Sequence, residues 1–180
     1  MKIKYHKQET CWTCGPAVIR MFLDTNGIRK TERQLVKMLR TTKQGGTKKS
    51  SIIRFAKEKG FTYITGNNFS ISEIKKLMKR NFFVIVSVKR KTPENFPFRI
   101  NKDFKIEENH FAVVRRITKS RIFILDPIYG PKEMFEFDDF NKIWHEIDHH
   151  EKDRGWFIAI KKEEEPEIIT INGKKFKRID

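Results

Sequence analysis

Apolar residues recur at helical spacing in VIRMFLDTNG, immediately after Gly15–Pro16–Ala17, and predict a first helix from Cys14 to Asn26. Val18, Met21, Phe22 and Leu23 form its inner face, Pro16 suits a first helical turn, and Gly27 provides a stop. Thr31 caps a second helix whose apolar positions are Leu35, Val36 and Leu39. After the polar loop TTKQGGTKK, Ser50 or Ser51 opens a third helix with Ile52, Ile53, Phe55 and Ala56 inward and Gly60 as its stop. FTYITG alternates as a short strand, and Ser70 or Ser72 caps a fourth helix, ISEIKKLMKRN.

The second half changes period. FFVIVSVKR is continuously apolar, as expected of a central strand buried on both faces. Residues 91–108 carry two prolines and mixed charge and read as an irregular connection. HFAVVRRI, RIFILDP and KEMFEFD follow as strands, with turns at Lys119–Ser120 and at Tyr129–Gly130–Pro131. Asp138 caps a last short helix, DFNKIWHEI, and GWFIAIKK is a further strand. Beyond it, Glu163–Glu165 and Pro166 form a charged linker, and EIITINGKKFKRID folds back around Asn172–Gly173 as a hairpin. The reading is one domain over residues 1–162 with an appendix over 163–180, and helices followed by antiparallel strands give an α+β class.

Composition narrows this picture. The chain has 180 residues, enough for one domain with a real core, and sixteen Phe argue against disorder despite 34% charged residues. No apolar run reaches the roughly eighteen residues of a membrane helix, and MKIKYHKQ has no apolar stretch that would make it a secretory signal. Two cysteines do not staple a fold of this size, so a soluble, cytoplasmic protein with reduced thiols is expected. The net charge of +16 attracts polyanions generally. No zinc finger, RNA-recognition motif or Gly-rich phosphate loop accompanies it, so no specific nucleic-acid partner is expected. The basic runs Lys89–Arg90–Lys91 and Arg115–Arg116 read as solvated surface.

The candidate chemistry centres on QETCWTCGPA. A thiol at a helix N-terminus meets the positive end of the macrodipole, which favours the anion and so marks Cys14 as a nucleophile. Such a nucleophile needs a base and a group that orients the base. His110 opens the strand HFAVV and Asp126 closes the next strand, IFILDP. Two strands joined by a tight turn are antiparallel neighbours, which brings these two residues to the same end of the sheet. Gln8, six residues before Cys14, can offer its amide to a developing oxyanion beside the Cys14 N–H, completing a papain-type arrangement.

These pieces, in this order, resemble the double-glycine leader peptidases, papain-like cysteine peptidases that process bacteriocin precursors and usually form the N-terminal domain of an ABC exporter. The resemblance rests on QETCWTCGPA, GTKKSSIIRFAKEKGF, NHFAVV, ILDPIYG and FDDFNKIW, and spans roughly residues 8–160. It implies a helical lobe bearing the cysteine and a β-sheet lobe bearing the histidine and aspartate. By position, Cys14 resembles the nucleophile, Gln8 the oxyanion glutamine, His110 the base and Asp126 the orienting acid. It further implies a peptide or protein substrate cut after a Gly-Gly pair. No cofactor or metal is implied. With no transmembrane segment or nucleotide-binding domain, a free-standing member with a separately encoded exporter is expected. Two departures bear on substrate choice: residues 89–108 are long for the connection before the histidine strand, and Thr13 stands where the family usually has an acidic residue.

Rival readings rank lower. Cys11 and Cys14 form a CxxC, but no second ligand pair and no preceding strand support a zinc or thioredoxin-like site, although a Cys11–Cys14 disulfide would switch the thiol off. EIDHHEKD, with His145 before it, reads as a solvated helix end, and Gly45–Gly46 as a turn, since the family has a Gly-Thr there. A catalytically silent peptide-binding module and a cysteine acyltransferase on the same chemistry are the alternative functions.

Overall fold

The computed structural model describes residues 2–91, 107–145, 154–162, 168–171 and 174–177, with 91, 107–109, 168–171 and 174–177 described by backbone alone. Five helices and eight strands are present among them, in the order α1 (Cys14–Thr25), α2 (Glu32–Met38), α3 (Lys49–Glu58), β1 (Thr62–Gly66), α4 (Ile71–Lys79), β2 (Phe83–Lys91), β3 (Glu107–Ile117), β4 (Arg121–Asp126), β5 (Gly130–Glu136), α5 (Phe137–His145), β6 (Phe157–Lys161), β7 (Ile168–Ile171) and β8 (Lys174–Lys177). This is an α+β fold. Six strands make one antiparallel sheet in the order β1-β6-β2-β3-β4-β5.

The sheet is covered on both faces, which is why its central strands are apolar without alternation. On one face, Phe83, Ile85, Phe111, Val113, Leu125, Ile158 and Ile160 pack with Ile19, Phe22, Leu35, Leu39, Ile52 and Phe55 of α1, α2 and α3. On the other, Val84, Val86, Ala112, Val114, Ile122 and Ile124 pack with Ile74, Phe140 and Trp144 of α4 and α5. The helical half of the sequence is therefore divided: α1, α2 and α3 form one layer, while α4 crosses to the opposite face and β1 joins the sheet edge.

Local signals decide most helix ends. Thr31 and Gln34 form a capping box at α2, as do Ser70 and Glu73 at α4, so Ser70 rather than Ser72 is the cap. Two expected caps are not used. The third helix begins at Lys49 after an uncapped Lys48, because Ser51 is buried inside it. The last helix begins at Phe137, whose N–H donates to the Ser120 carbonyl at 3.1 Å, leaving Asp138 within the first turn. β1 does not alternate in exposure; it is half-buried throughout, as an edge strand whose Tyr63 packs on one core and Ile64 on the other. The Arg115–Arg116 pair is exposed at a β-bulge between Val114 and Arg116, which turns two consecutive side chains outward.

Two sequence expectations fall partly outside the described residues. The connection expected over 91–108 is shorter at both ends, since β2 runs to Lys91 and β3 starts at Glu107; residues 92–106 lie outside. The tail strands pair in register from Ile168↔Lys177 to Ile171↔Lys174 as a separate two-stranded sheet, and the Asn172–Gly173 turn and the 163–167 linker lie outside.

Candidate active site

α1 starts at Cys14, after an N-cap Thr13 whose side chain makes no capping bond to the helix. The Thr13 hydroxyl is engaged backwards instead, donating to the Thr10 carbonyl at 3.0 Å and accepting the Thr10 N–H at 3.1 Å. No acidic side chain occupies the first turn of α1. Neither Cys11 nor Cys14 is in a disulfide, and both are half-buried.

Gly15 is required by its neighbour. A Cβ there would overlap the side chain of Thr47, which is itself buried and held by the Thr41 hydroxyl at 2.8 Å. We expect Gly15→Ala to cost about 1–3 kcal/mol through overpacking, read as a lower urea midpoint, and Gly15→Ala/Thr47→Ala to recover part of it. A midpoint unchanged by Gly15→Ala would disprove the clash.

His110 is the fourth residue of β3 rather than its first, paired across the sheet with Val88, and is 5% exposed. Its Nε2 lies 2.8 Å from Asp126 Oδ1. That leaves Nδ1 as the nitrogen able to meet Cys14, which lies near enough to the ring to raise the His110 pKa. Asp126 is fully buried at the end of β4. Its Oδ1 also accepts the N–H groups of Ile128 at 2.8 Å and Tyr129 at 3.0 Å, an Asx-type turn that pins the carboxylate to its own loop.

The charges reinforce one another. Burial pulls the His110 pKa down, but the Asp126 charge, the bond to Asp126 and the Cys14 thiol outweigh it and raise the value to about 10. Burial likewise pushes Asp126 up, and the His110 charge, the bond to His110 and the two turn amides bring it below its ordinary value. Both shifts favour the charged forms, an imidazolium against a carboxylate.

The lead-in to α1 straps this turn to the helix. Tyr5 Oη donates to the Asp126 carbonyl at 3.0 Å, and the Gln8 N–H donates to the Pro127 carbonyl at 3.1 Å. Burial, with the Asp126 charge, raises the Tyr5 pKa to about 12, so it remains a donor. The same segment reaches α1 through His6–Asp24 at 2.5 Å and Glu9–Arg20 at 3.3 Å. Gln8 is buried; its Nε2 donates to the Thr10 carbonyl at 2.6 Å, and its Oε1 has no hydrogen-bond partner. One amide proton of Gln8 is therefore committed to its own turn and one is left over.

Sequence reasoning missed four supporting residues. Tyr5 carried no signal in an extended lead-in. Thr47 sat in a loop. Glu32 is buried in α2 and accepts the Glu9 N–H at 2.9 Å, and burial raises its pKa. Arg90 belonged to a run read as surface but is turned inward, its side chain 13% exposed. Its two-residue spacing from Val84, Val86 and Val88, all buried, was the signal that could have revealed it. Among the described residues no three His, Cys, Asp or Glu side chains are grouped to hold a metal ion. His145 sits against Gly155, and residues 146–153 of the EIDHHEKD run lie outside the described residues. No helix among the described residues is long and apolar enough to cross a membrane.

A helix that begins at a cysteine, packed against an antiparallel sheet bearing a buried histidine–aspartate pair, is the layout of a papain-like α+β protein. The sequence profile of the Peptidase_C39 like family matches residues 1–151, and the chain belongs to that family. Solved structures agree on the fold. The peptidase domain of Streptococcus ComA, a bi-functional ABC transporter involved in quorum sensing, superposes with a TM-score of 0.62 at 21% identity, covering 90% of this chain and 100% of that one. A double-glycine-motif protease from an AMS/PCAT transporter, solved with its leader peptide, gives 0.60 at 15% identity over 88% and 91% of the two chains. A Bacillus anthracis protein designated a C39-like peptidase gives 0.63 at 15% identity over 90% and 96%. No curated protein matches the sequence.

Proposed function

We propose that the protein is a cysteine peptidase acting on a peptide or protein substrate, with Cys14 as nucleophile, His110 as acid and base, Asp126 as its orienting group and Gln8 in the oxyanion hole. The observation that supports it is the buried His110 ring, bonded on one side to Asp126 and near enough to Cys14 on the other for the thiol to raise its pKa. Cys14 Sγ attacks the scissile carbonyl carbon, and the carbonyl π electrons move onto oxygen. The remaining Gln8 amide proton and the Cys14 N–H receive that oxyanion. The His110 imidazolium gives its Nδ1 proton to the leaving amine as the C–N bond breaks, leaving a thioester. Water then adds, with neutral His110 taking its proton, and the carbon–sulfur bond breaks to return the thiolate–imidazolium pair.

Family membership and the transporter-derived neighbours support a leader peptide cut after Gly-Gly as the substrate, and a separately encoded ABC exporter as the partner. The net charge of +16 suits a substrate with acidic character. The test begins without a substrate. Iodoacetamide is expected to label Cys14 ahead of Cys11 at about pH 7, and His110→Ala to abolish the difference, read by mass spectrometry. Equal, slow labelling of both cysteines, indifferent to His110, would leave a silent peptide-binding module of the same fold.

A further inference from the structure

Arg90 lies on β2 with its guanidinium between three groups of the Asp126 loop and its neighbour β5. Nη2 donates to Glu133 Oε2 at 2.7 Å, Nε stands 3.7 Å from Asp126 Oδ2, and the guanidinium carbon lies 4.0 Å from the centre of the Tyr129 ring. Phe135 covers it from further along β5 at 5.4 Å. The two oxygens of Asp126 are in unlike surroundings. Oδ1 is met by His110 and two backbone N–H groups, whereas Oδ2 is buried with no hydrogen bond at all. A buried carboxylate oxygen without a donor is costly unless a cation faces it.

We propose that Arg90 is a positioning residue for the His110–Asp126 pair, acting through Asp126. Its charge faces the unbonded Oδ2, and its stacking on Tyr129 braces the turn whose N–H groups hold Oδ1. The groups facing the pair are Cys14 from α1, the Tyr5 hydroxyl from the lead-in, Tyr129 of the turn, and Arg90 with Glu133 beyond it. Because Glu133 shares the guanidinium, the electrostatic effect of Arg90 is moderate. A lysine would keep the charge but neither lie flat on Tyr129 nor address two carboxylates from one rigid fork. Without Arg90, Oδ2 faces no cation, and Asp126 takes up a proton and loosens its hold on His110 at a higher pH than in the wild type.

The pair itself is given by geometry; only its use in catalysis rests on the peptidase reading. The experiment compares Arg90→Met, Arg90→Lys and His110→Ala by two readouts. The first is the rate of Cys14 alkylation by iodoacetamide; the second is the nuclear magnetic resonance signal of the His110 ring proton on Nε2. Arg90→Met is expected to slow alkylation several-fold at about pH 4, where Asp126 begins to take up a proton, and by less than about twofold at about pH 8.5. The ring proton signal is lost from that variant at the lower pH, and Arg90→Lys falls between. Equal losses at both pH values would make Arg90 a packing residue only, and no loss at either would remove it from the site; both overturn the inference. A wild-type rate indifferent to His110→Ala overturns the peptidase reading instead, while the ring proton still decides the part played by Arg90.

Discussion

Cys14→Ala is expected to reduce turnover of a double-glycine leader peptide to background, a loss on the order of 10⁴-fold or more, while Cys11→Ala keeps activity within a few-fold. The asymmetry follows from position. Cys14 is the first residue of α1 and lies near enough to the His110 ring to raise its pKa, whereas Cys11 lies in the turn before the helix. Chromatographic separation of the cleaved leader measures both variants. If Cys11→Ala were the inactive one, the nucleophile would be misassigned.

Asp126→Ala carries the second large effect, because it strips a buried imidazole of its carboxylate. Removing one partner of a buried pair typically costs about 3–5 kcal/mol, and the loss of ring orientation should slow Cys14 alkylation at neutral pH at least as much as loss of Arg90. The pH dependence has a definite sign. His110 is raised from 6.5 to about 10, so its stabilisation is complete below 6.5, declines above it and is gone beyond about 10. Asp126 is lowered from 3.8, so its contribution is present above 3.8 and is lost as pH falls through its folded value. Urea unfolding should therefore show the wild-type advantage over Asp126→Ala greatest between about pH 4 and 6.5, shrinking toward acid and alkali. An advantage that did not shrink toward alkali would mean that Asp126 contributes only its backbone-directed hydrogen bonds.

Much of this architecture was legible because local rules and tertiary packing agree. Helical spacing after Gly15–Pro16–Ala17 and the Thr31 signal mark α1 and α2, and the unbroken FFVIVSV run marks a strand buried on both faces. Caps were less reliable. A serine near a helix start caps only when its side chain faces the first-turn amides, and Ser51 is consumed by burial instead. The association of His110 with Asp126 was accessible from the hairpin that joins their strands, although three further residues extend β3 ahead of His110. Arg90 and Tyr5 were not accessible in this way. Their partners lie 36 and 121 positions along the chain, at distances no local pattern encodes.

Sequence alone determined the class of elements, their order, and the chemical character of the thiol, imidazole and carboxylate, because each depends on nearest neighbours and on alternation along one segment. Tertiary structure decided where those segments meet. β6 inserts between β1 and β2, α4 crosses to the far face, and the 5–8 lead-in binds the Asp126–Pro127 turn. Those choices satisfy buried backbone and carboxylate groups that no single segment can satisfy by itself. The same requirement draws a basic residue of β2 inward to face Asp126.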